Sequence, residues 1–328
     1  QAEDGIRDSV ASRGLGDVYK RQVLMVSGSD AHGTPITVRA DEEGVTPIDI
    51  VEKYHKEFLG YWDKLSISWD NYTTTMTENH KEVTHDIFLK LLEKEYIYKA
   101  KTLQAYDPSE NRFLPDRYVE GKCPKCDYES ARGDQCDSCS STLDPEELID
   151  PKSKISGNKA EFKETEHFFL KLSALGEDLI PWLETKEDWR PHVINWAKSF
   201  VKEGLQDRAI TRDLDWGIDI PVDDLGDGKK IYVWFEAVIG YLSASIEWSN
   251  NDESRNWEDW WKNKDAESYY FIGKDNVPFH SVIWPAILAG YGDLNLPTNV
   301  PANQYLSLIH ISEPTRRYAI SYAVFCLK

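Results

Sequence analysis

The stretch VLMVSGSDAHG, residues 23–33, indicates the fold class of this 328-residue chain. Val23–Ser27 is a short apolar run, which is typical of a strand that is buried on both faces of a sheet. A loop, Gly28–Gly33, follows it at once. Further on, Thr-Pro-Ile-Asp at 46–49 is a helix start, because it combines a capping hydroxyl, a proline in the first turn and an acid three residues after the cap. The pattern predicts a strand, a loop and then a helix.

Strands and helices continue to alternate along the chain. The spacing of apolar residues predicts a helix containing Val83–Leu92 and another that begins at Pro191 and ends near Gly204. Short apolar runs predict three more strands, at Phe168–Leu172, Ile231–Phe235 and Tyr269–Ile272. This alternation predicts an α/β fold with a doubly wound, mostly parallel sheet. The segment 96–228 is richer in turns and cysteines, so we expect it to be an insertion into that sheet.

The composition excludes several classes of protein. The chain is 41% hydrophobic and has no apolar run near the ~20 residues that cross a bilayer, so an integral membrane protein is excluded. The 12% of aromatic residues excludes a disordered chain. The net charge of −19 has the wrong sign for a protein that coats nucleic acid through a general basic surface. No apolar signal-peptide core is visible in residues 1–22, so we expect a cytoplasmic protein.

The two ends differ from the middle of the sequence. Residues 1–22 and 307–328 show no clear helical or strand period, and both resemble peptides that arise when sequencing-adapter DNA is translated. We expect both segments to be non-native flanks, and we therefore assign no function to the thiol of Cys326.

Three predicted strands each lead into a polar loop. The loops are Ser29–Gly33, Glu236-Ala237 and Lys274–Asn276. Each loop alone has an ordinary structural explanation, with Asp30 capping a turn and His32 as a hydrogen-bonded loop histidine. Ligands of α/β sheets bind outside the carboxyl ends of the strands, so the three loops together favour one shared site.

Four cysteines form two closely spaced pairs. Cys123 and Cys126 are separated from Cys136 and Cys139 by nine residues. Each Cys-x-x-Cys turn directs two sulfurs to one point, and two turns complete a closed tetrahedral site. Soft thiolate ligands favour a structural zinc, and iron remains open. Two disulfides are the alternative, which the absence of a signal peptide disfavours.

Seven segments together resemble the methionyl-tRNA synthetase family of class I aminoacyl-tRNA synthetases. The segments are GSDAHGTPITVRA (28–40), FLPDRYVEGKCPKC (113–126), CDSC (136–139), EHFFLKL (166–172), ITRDLDWGIDIP (210–221), YVWFEAVIGYLSA (232–244) and FIGKDNVPFHSVIWPAIL (271–288). They cover nearly all of residues 23–306 in the order that the family has. The resemblance implies a Rossmann-like catalytic domain, at 23–95 and 229–306, split by a connective-peptide insertion at 96–228. The insertion would carry the zinc knuckle at about 119–145.

The resemblance also implies roles for particular residues. Asp30 matches the acid that binds the α-ammonium group of methionine, and Arg212 matches an arginine near the amino-acid site that would pair with strand-end carboxylates. Asp275, with Lys274 beside it, matches the residue near the adenylate ribose. The positions that would line the methionine side-chain pocket are Trp234, Ala237, Tyr241, Phe279, His280 and Trp284. Without the resemblance, ordinary core packing also explains this aromatic set.

The family reaction joins methionine to its tRNA through a methionyl-adenylate, with ATP and Mg²⁺ as substrate. Glu236 and Val238 stand where the family often has Asp and Pro. The family's His-x-Gly-His stretch is not found before Val23, and its Lys-Met-Ser-Lys-Ser loop is not found after Leu306. We therefore expect an incomplete, inactive fragment that lacks both ATP signature motifs.

Two other functions remain as alternatives. One is a stand-alone zinc-knuckle module that binds nucleic acid or protein, and the other is a different class I synthetase. A binding module requires basic and aromatic residues around its cysteines. The residues that surround them are acidic instead, namely Asp127, Glu129, Asp134 and Asp137.

Overall fold

The alternation of strands and helices is confirmed where the structure describes the chain. The computed structural model describes residues 22–133, 136, 138–139, 143–223, 225 and 228–303. Apart from residue 22, both expected flanks lie outside these residues, as do Cys326, Asp134 and Asp137.

Thirteen strands lie within the described residues. They are β1 (Val26–Ser29), β2 (Asn71–Thr74), β3 (Ile97–Asp107), β4 (Arg112–Phe113), β5 (Val119–Lys122), β6 (Ala131–Arg132), β7 (Ile149–Ser153), β8 (Glu161–Leu170), β9 (Arg208–Ala209), β10 (Thr211–Asp213), β11 (Lys229–Ile231), β12 (Ile272–Gly273) and β13 (Ala302–Asn303).

Nine α-helices accompany the strands in the same part of the chain. They are α1 (Thr34–Glu43), α2 (Pro47–Lys64), α3 (Glu78–Glu93), α4 (Leu172–Glu184), α5 (Pro191–Lys202), α6 (Val233–Glu236), α7 (Gly240–Asn250), α8 (Glu258–Trp261) and α9 (Trp284–Tyr291). Short 3₁₀ turns occupy Ala237–Ile239 and Lys274–Asn276, and a π-turn occupies Phe279–Ile283.

The first strand begins three residues later than the apolar run predicts. Strand β1 pairs in parallel with β2, and residues 23–27 are half-buried rather than buried on both faces. The reason is that β2 is the only strand bonded to β1 within the described part of the chain. Gly28 is required at this pairing, because a Cβ atom there would lie 2.8 Å from the carbonyl oxygen of Thr73.

The predicted start of helix α2 is confirmed. The hydroxyl of Thr46 accepts a hydrogen bond from the backbone N–H of Asp49, and the Asp49 carboxylate accepts one from the backbone N–H of Thr46 at 2.9 Å. This reciprocal pair is a capping box, which satisfies two N–H groups that a helix end leaves without partners.

Parallel pairing is limited to two strand pairs in the described residues. Strands β1 and β2 form one parallel pair and β12 and β13 form the other. The larger sheets are antiparallel, with strand orders β4-β3-β8-β9 and β6-β5-β7. The mostly parallel sheet expected from the sequence is therefore present here as two separate parallel pairs.

The prediction of a strand over Ile231–Phe235 is wrong beyond its first residue. Strand β11 ends at Ile231, and the chain turns into helix α6 from Val233. A short apolar run does not distinguish a strand from a buried helical turn. In this run the helical turn buries Phe235 against Phe88, with ring centroids 6.3 Å apart, and directs Glu236 into the interior.

The hydrophobic residues form two separate clusters. The main core joins helices α3, α4, α5 and α9 with the end of β8. The second cluster, here called the insertion core, draws its fully buried residues from positions 105–160 and includes the side chains of Cys123 and Cys136. One cysteine of each pair is thus part of this small core.

Candidate active site and metal site

A cleft of about 310 Å³ opens at the carboxyl ends of strands β1, β2 and β12. Ser27 and Gly28 come from β1, residues 73–75 from the end of β2, and Ile272 and Gly273 from β12. The predicted site residues that line this cleft are Asp30, Trp234, Ala237, Tyr241, Phe279 and His280. Segments that are 200 residues apart in sequence therefore meet at one site, as the strand-end argument predicts.

Asp30 is the acidic group of the cleft. Its side chain is accessible to solvent from the cleft, but protein surrounds it on its other sides. Burial, followed by the negative charge of Glu236, raises the pKa of Asp30 to about 7, although His32 acts in the opposite direction. The accessible surface of the carboxyl faces a confined cleft, where the charged form is less well hydrated than in bulk water. This carboxyl is placed to bind a cation that enters the cleft.

A buried carboxylate and two histidines lie behind Asp30. Glu236 has no accessible surface, and its two oxygens contact His32 Nδ1 at 3.0 Å and His80 Nε2 at 2.6 Å. Burial alone would raise the pKa of Glu236, but hydrogen bonds from both histidines outweigh burial and lower it. Glu236 is therefore a carboxylate that accepts two hydrogen bonds.

His80 is the member of this group that the sequence did not indicate. His80 lies on helix α3, where the sequence pattern does not distinguish it from the other polar residues of an amphipathic helix. In the structure it lines the cleft. No local pattern reports a contact with Glu236, which is 156 residues away. The three threonines that follow Tyr72 were missed for the same reason, because they reach the cleft only through the pairing of β1 with β2.

Aromatic rings form one wall of the cleft. Trp234 stacks on Phe279 with ring centroids 4.1 Å apart and an interplanar angle of 11°. Tyr241 packs edge-on against His280, and its hydroxyl lies 2.8 Å from His280 Nε2. An unbranched apolar side chain fits beside such rings, and a thioether gains additional attraction from aromatic edges.

The hydrogen bonds of His280 determine its tautomer. The carbonyl oxygen of Asn276 accepts from His280 Nδ1 at 2.9 Å, so the ring proton is on Nδ1 and Nε2 accepts the hydroxyl of Tyr241. Burial lowers the pKa of His280 to about 4, and burial with the charge of Asp30 raises the pKa of Tyr241 to about 12. Both side chains are therefore neutral at pH 7.

Trp284 supports this wall from behind and does not line the cleft. It is fully buried, and its Nε1–H donates to the Tyr270 hydroxyl at 3.1 Å. Tyr270 in turn packs edge-on against Tyr241 at 5.1 Å.

Three further predicted site residues lie outside the cleft lining. Arg212, on β10, donates to the carbonyl oxygens of residues 209 and 211 and lies 4.3 Å from the centre of the Tyr232 ring. The carboxylate nearest to it is Asp116, at 3.8 Å, which belongs to the insertion and not to a strand end of the cleft. Lys274 and Asp275 are exposed on the 3₁₀ turn whose last residue, Asn276, does line the cleft.

The four predicted cysteines converge on one point. Their sulfur atoms lie within 4.8 Å of one another, and two of the separations are 3.9 Å, between Cys123 and Cys139, and 3.6 Å, between Cys126 and Cys136. A tetrahedral zinc with bonds of 2.3 Å separates its sulfurs by roughly 3.8 Å, so the four thiols fit this metal. Both separations are far longer than the ~2.05 Å of a disulfide bond, which disfavours the alternative of two disulfides.

Comparisons with known proteins agree with this arrangement. A family model described as "tRNA synthetases class I (M)" matches residues 15–311. A methionine–tRNA ligase of Dehalococcoides mccartyi is 58% identical over 287 residues, which are 87% of this chain and 52% of the relative. One from Roseiflexus sp. is 53% identical over 296 residues, covering 88% of this chain and 50% of the relative. The fold and these matches define the class, the class I tRNA synthetases.

Within that class the chain belongs to the methionyl-tRNA synthetase family. The structure of Mycobacterium tuberculosis methionyl-tRNA synthetase bound by methionyl-adenylate has the same fold, with a TM-score of 0.65 and 23% identity over 89% of this chain and 52% of that one. The chain spans about half the length of the curated relatives that it matches. Among the helices that the structure describes, none has the length and apolar character needed to cross a membrane.

Proposed function

We propose that this chain forms the methionine-binding part of a methionyl-tRNA synthetase, and that the cleft is where methionine is activated by ATP. The observation that carries this proposal is the meeting of one acidic group, Asp30, with a neutral aromatic wall in a single cleft. An α-amino acid with an apolar side chain presents the complementary groups, an ammonium and an apolar chain. Membership of the methionine family identifies that chain as a thioether.

Each part of the substrate then has a partner in the cleft. The carboxylate of Asp30 binds the α-ammonium group, and the side chain lies along Trp234, Phe279 and Tyr241. Because the Tyr241 hydroxyl donates to His280, the oxygen of Tyr241 faces the cleft as an acceptor only. A side chain that ends in a hydroxyl would still find an acceptor there, so the apolar rings must provide much of the selectivity.

The two parallel strand pairs support a Rossmann-like catalytic domain. The carboxyl ends of β1, β2 and β12 border the same cleft, as expected if β1–β2 and β12–β13 are two halves of one doubly wound sheet. In this proposal the domain comprises 23–95 and 229–306, with the insertion at 96–228 between them. The residues near ATP are Lys274 and Asp275, whose turn borders the cleft, and Arg212 acts on the amino-acid site from outside the lining.

The insertion has a structural role in this proposal. The four cysteines hold one Zn²⁺, and four thiolates leave no open position for a substrate. The metal therefore stabilises the fold of the insertion core and takes no part in the reaction. The further substrates are ATP with Mg²⁺ and the tRNA for methionine, which meet in the cytoplasm.

Titration of the chain with L-methionine tests the proposal. Trp234 forms the cleft wall, so binding changes the tryptophan fluorescence with saturation, and L-leucine binds at least tenfold more weakly. The variant Trp234→Phe keeps an aromatic ring and removes most of the signal, which assigns the change to the cleft. Equal binding of methionine and leucine, or no saturable binding of either, contradicts the proposal.

A further inference from the structure

Glu236 is a buried charge that substrate does not reach in the proposed mechanism. It has no accessible surface, and both of its oxygens are taken by ring N–H groups of His32 and His80. Burying a carboxylate is unfavourable unless hydrogen bonds compensate for the lost water, and replacing a whole buried charged group and its partners with apolar residues is often neutral for stability. Its position beside the cleft therefore calls for a physical explanation.

The Glu236 cluster ties together three separate elements. His32 belongs to the loop after β1, Glu236 ends α6, and His80 lies on α3. His80 also contacts the hydroxyl of Ser243 on α7 through Nδ1, at 2.8 Å. On the other side of the same loop, Trp216 Nε1–H donates to the carbonyl oxygen of Ala31 at 2.7 Å. The two residues that follow Asp30, Ala31 and His32, are thus each fixed by a hydrogen bond to another part of the chain.

The charges that face Asp30 are mainly negative. Glu236 interacts with it repulsively from α6, and His32, on the same loop, interacts with it attractively. Tyr241, on α7, is a neutral hydroxyl bonded to His280. None of the described residues that line the cleft is a lysine or an arginine. An incoming cation would therefore meet one acid, Asp30, with the charge of Glu236 buried behind it, and no lysine or arginine of the described cleft wall.

We propose that Glu236 is the positioning residue of the ammonium subsite, and that it makes this subsite selective for a primary ammonium group. Held between His32 and His80, Glu236 fixes the loop that carries Asp30 and adds a second, buried negative charge behind it. The inference rests on the proposed function, because it assumes that methionine enters this cleft.

The second charge makes binding depend on pH. Burial, together with the repulsion from Glu236, raises the pKa of Asp30 to about 7, so below that pH the free cleft holds a protonated Asp30. An ammonium group binds the ionised form, so binding at lower pH must release that proton. Methionine affinity therefore rises as the pH rises through the pKa of Asp30, by about 30-fold between pH 5.5 and pH 8 if one proton is involved.

Calorimetric titration with L-methionine between pH 5.5 and pH 8 tests this inference on the chain and on Glu236→Gln. The variant keeps the shape of the side chain and removes its charge. The pH midpoint of methionine binding is expected to be at least half a pH unit lower in the variant than in the unsubstituted chain. The variant's affinity for methionine at pH 8 is also expected to be lower. Asp107→Asn is the matched control, since it neutralises a buried carboxylate of the insertion and leaves the midpoint unchanged. The methionine analogue without its amino group, 4-(methylthio)butanoate, is not expected to bind.

The outcomes separate this inference from the proposed function. If Glu236→Gln weakens methionine binding by the same factor at every pH, Glu236 has only a structural role and the inference is overturned, while the proposed function stands. If the unsubstituted chain does not bind methionine at all, both fail. Binding of the analogue without an amino group as tightly as methionine also overturns the inference.

Two further measurements test the inference if the Glu236→Gln variant does not fold. Glu236→Asp keeps the charge on a shorter side chain, so methionine affinity falls but the midpoint stays within about 0.3 pH unit of the original. In the unsubstituted chain, titration at pH 6 in two buffers of different ionisation enthalpy measures the protons released. We expect close to one proton per methionine at pH 6 and almost none at pH 8, and no release at pH 6 overturns the inference.

Discussion

Glu236 beside the cleft and Asp107 in the insertion are both buried carboxylates, but their partners differ in kind. Two histidines hydrogen-bond to Glu236, and its negative charge acts on a second acid, Asp30, which lines the cleft. Asp107 accepts hydrogen bonds from serine hydroxyls and a backbone N–H, and these partners do not titrate. The charge of Glu236 is thus coupled to a ligand site, whereas the charge of Asp107 serves only to hold a loop.

The same contrast separates the two cores. The main core is a large apolar cluster whose edge forms the cleft, and its polar groups are few and coupled. The insertion core is small, and four thiols complete it. A small core seldom provides enough burial for stability on its own, so metal binding is expected to provide much of its folding free energy. Variants that affect one region should therefore leave the other region unchanged.

Removal of the metal has the largest expected effect. Structural zinc sites contribute apparent binding free energies of about 10–16 kcal/mol, so a strong chelator should unfold the insertion core and leave the main core folded. Elemental analysis should find one zinc per chain, and thermal unfolding after chelation should show a lost transition. Cys126→Ser should lower the metal content, whereas Cys326→Ser should leave one zinc bound. Protein without stoichiometric metal would contradict the assignment.

Asp107→Asn should destabilise the insertion by about 2 kcal/mol at pH 7, the range for hydrogen bonds to charged groups. Burial alone would raise the pKa of Asp107, but hydrogen bonds from Ser109, Ser153 and Ser156 outweigh burial and hold the pKa well below its usual range. The stabilisation is therefore complete above the unfolded value of about 3.9 and is lost as the pH falls through the lower folded value.

Urea unfolding from pH 7 to pH 3 measures this difference. The difference in stability between the unsubstituted chain and Asp107→Asn should begin to shrink below about pH 4, and methionine affinity should be the same for both at pH 7. A constant difference at all pH values would mean that the charge of Asp107 is not the cause of the stabilisation.

Trp234→Ala should weaken methionine binding by about tenfold, since it removes one ring from the cleft wall and exposes Phe279 to water. Trp196→Ala is the matched control, because Trp196 also stacks on a phenylalanine, Phe200 at 4.7 Å, but does not line the cleft. Calorimetry on both variants gives the comparison. Equal losses of affinity would place the effect in general packing and not in the cleft.

Local signals predicted more of the fold than long-range signals did. The capping box at Thr46, the helix from Pro191 and the four-cysteine site depend on neighbours within a few residues, and the structure bears them out. The run at Ile231–Phe235 failed because burial of a short apolar segment suits a strand and a helical turn equally. What decides between them is the contact of this segment with helix α3, which is far away in sequence.

The same difference between local and long-range signals applies to the residues of the candidate site. Asp30 and the aromatic set were identified because they follow strands or belong to recognisable motifs, and the structure brings most of them to one cleft. His80 was not identified, because its role depends on a partner in another segment. Trp284 was expected in the lining but lies behind it, since a fully buried ring supports a wall without touching the cavity.

The smallest expected effect comes from Thr46→Ala, which removes the cap of helix α2. The lost hydroxyl leaves an N–H group of the first turn to water, and caps of this kind contribute about 1 kcal/mol. Thr46 is exposed and lies on neither the cleft lining nor the insertion core, so methionine affinity and zinc content should not change. Thr46→Ser keeps a capping oxygen and should restore nearly all of the stability in chemical unfolding. If Thr46→Ala altered the pH midpoint of methionine binding, the stability of the main core and the charge of the cleft would be coupled, and the contrast drawn between Glu236 and Asp107 would no longer hold.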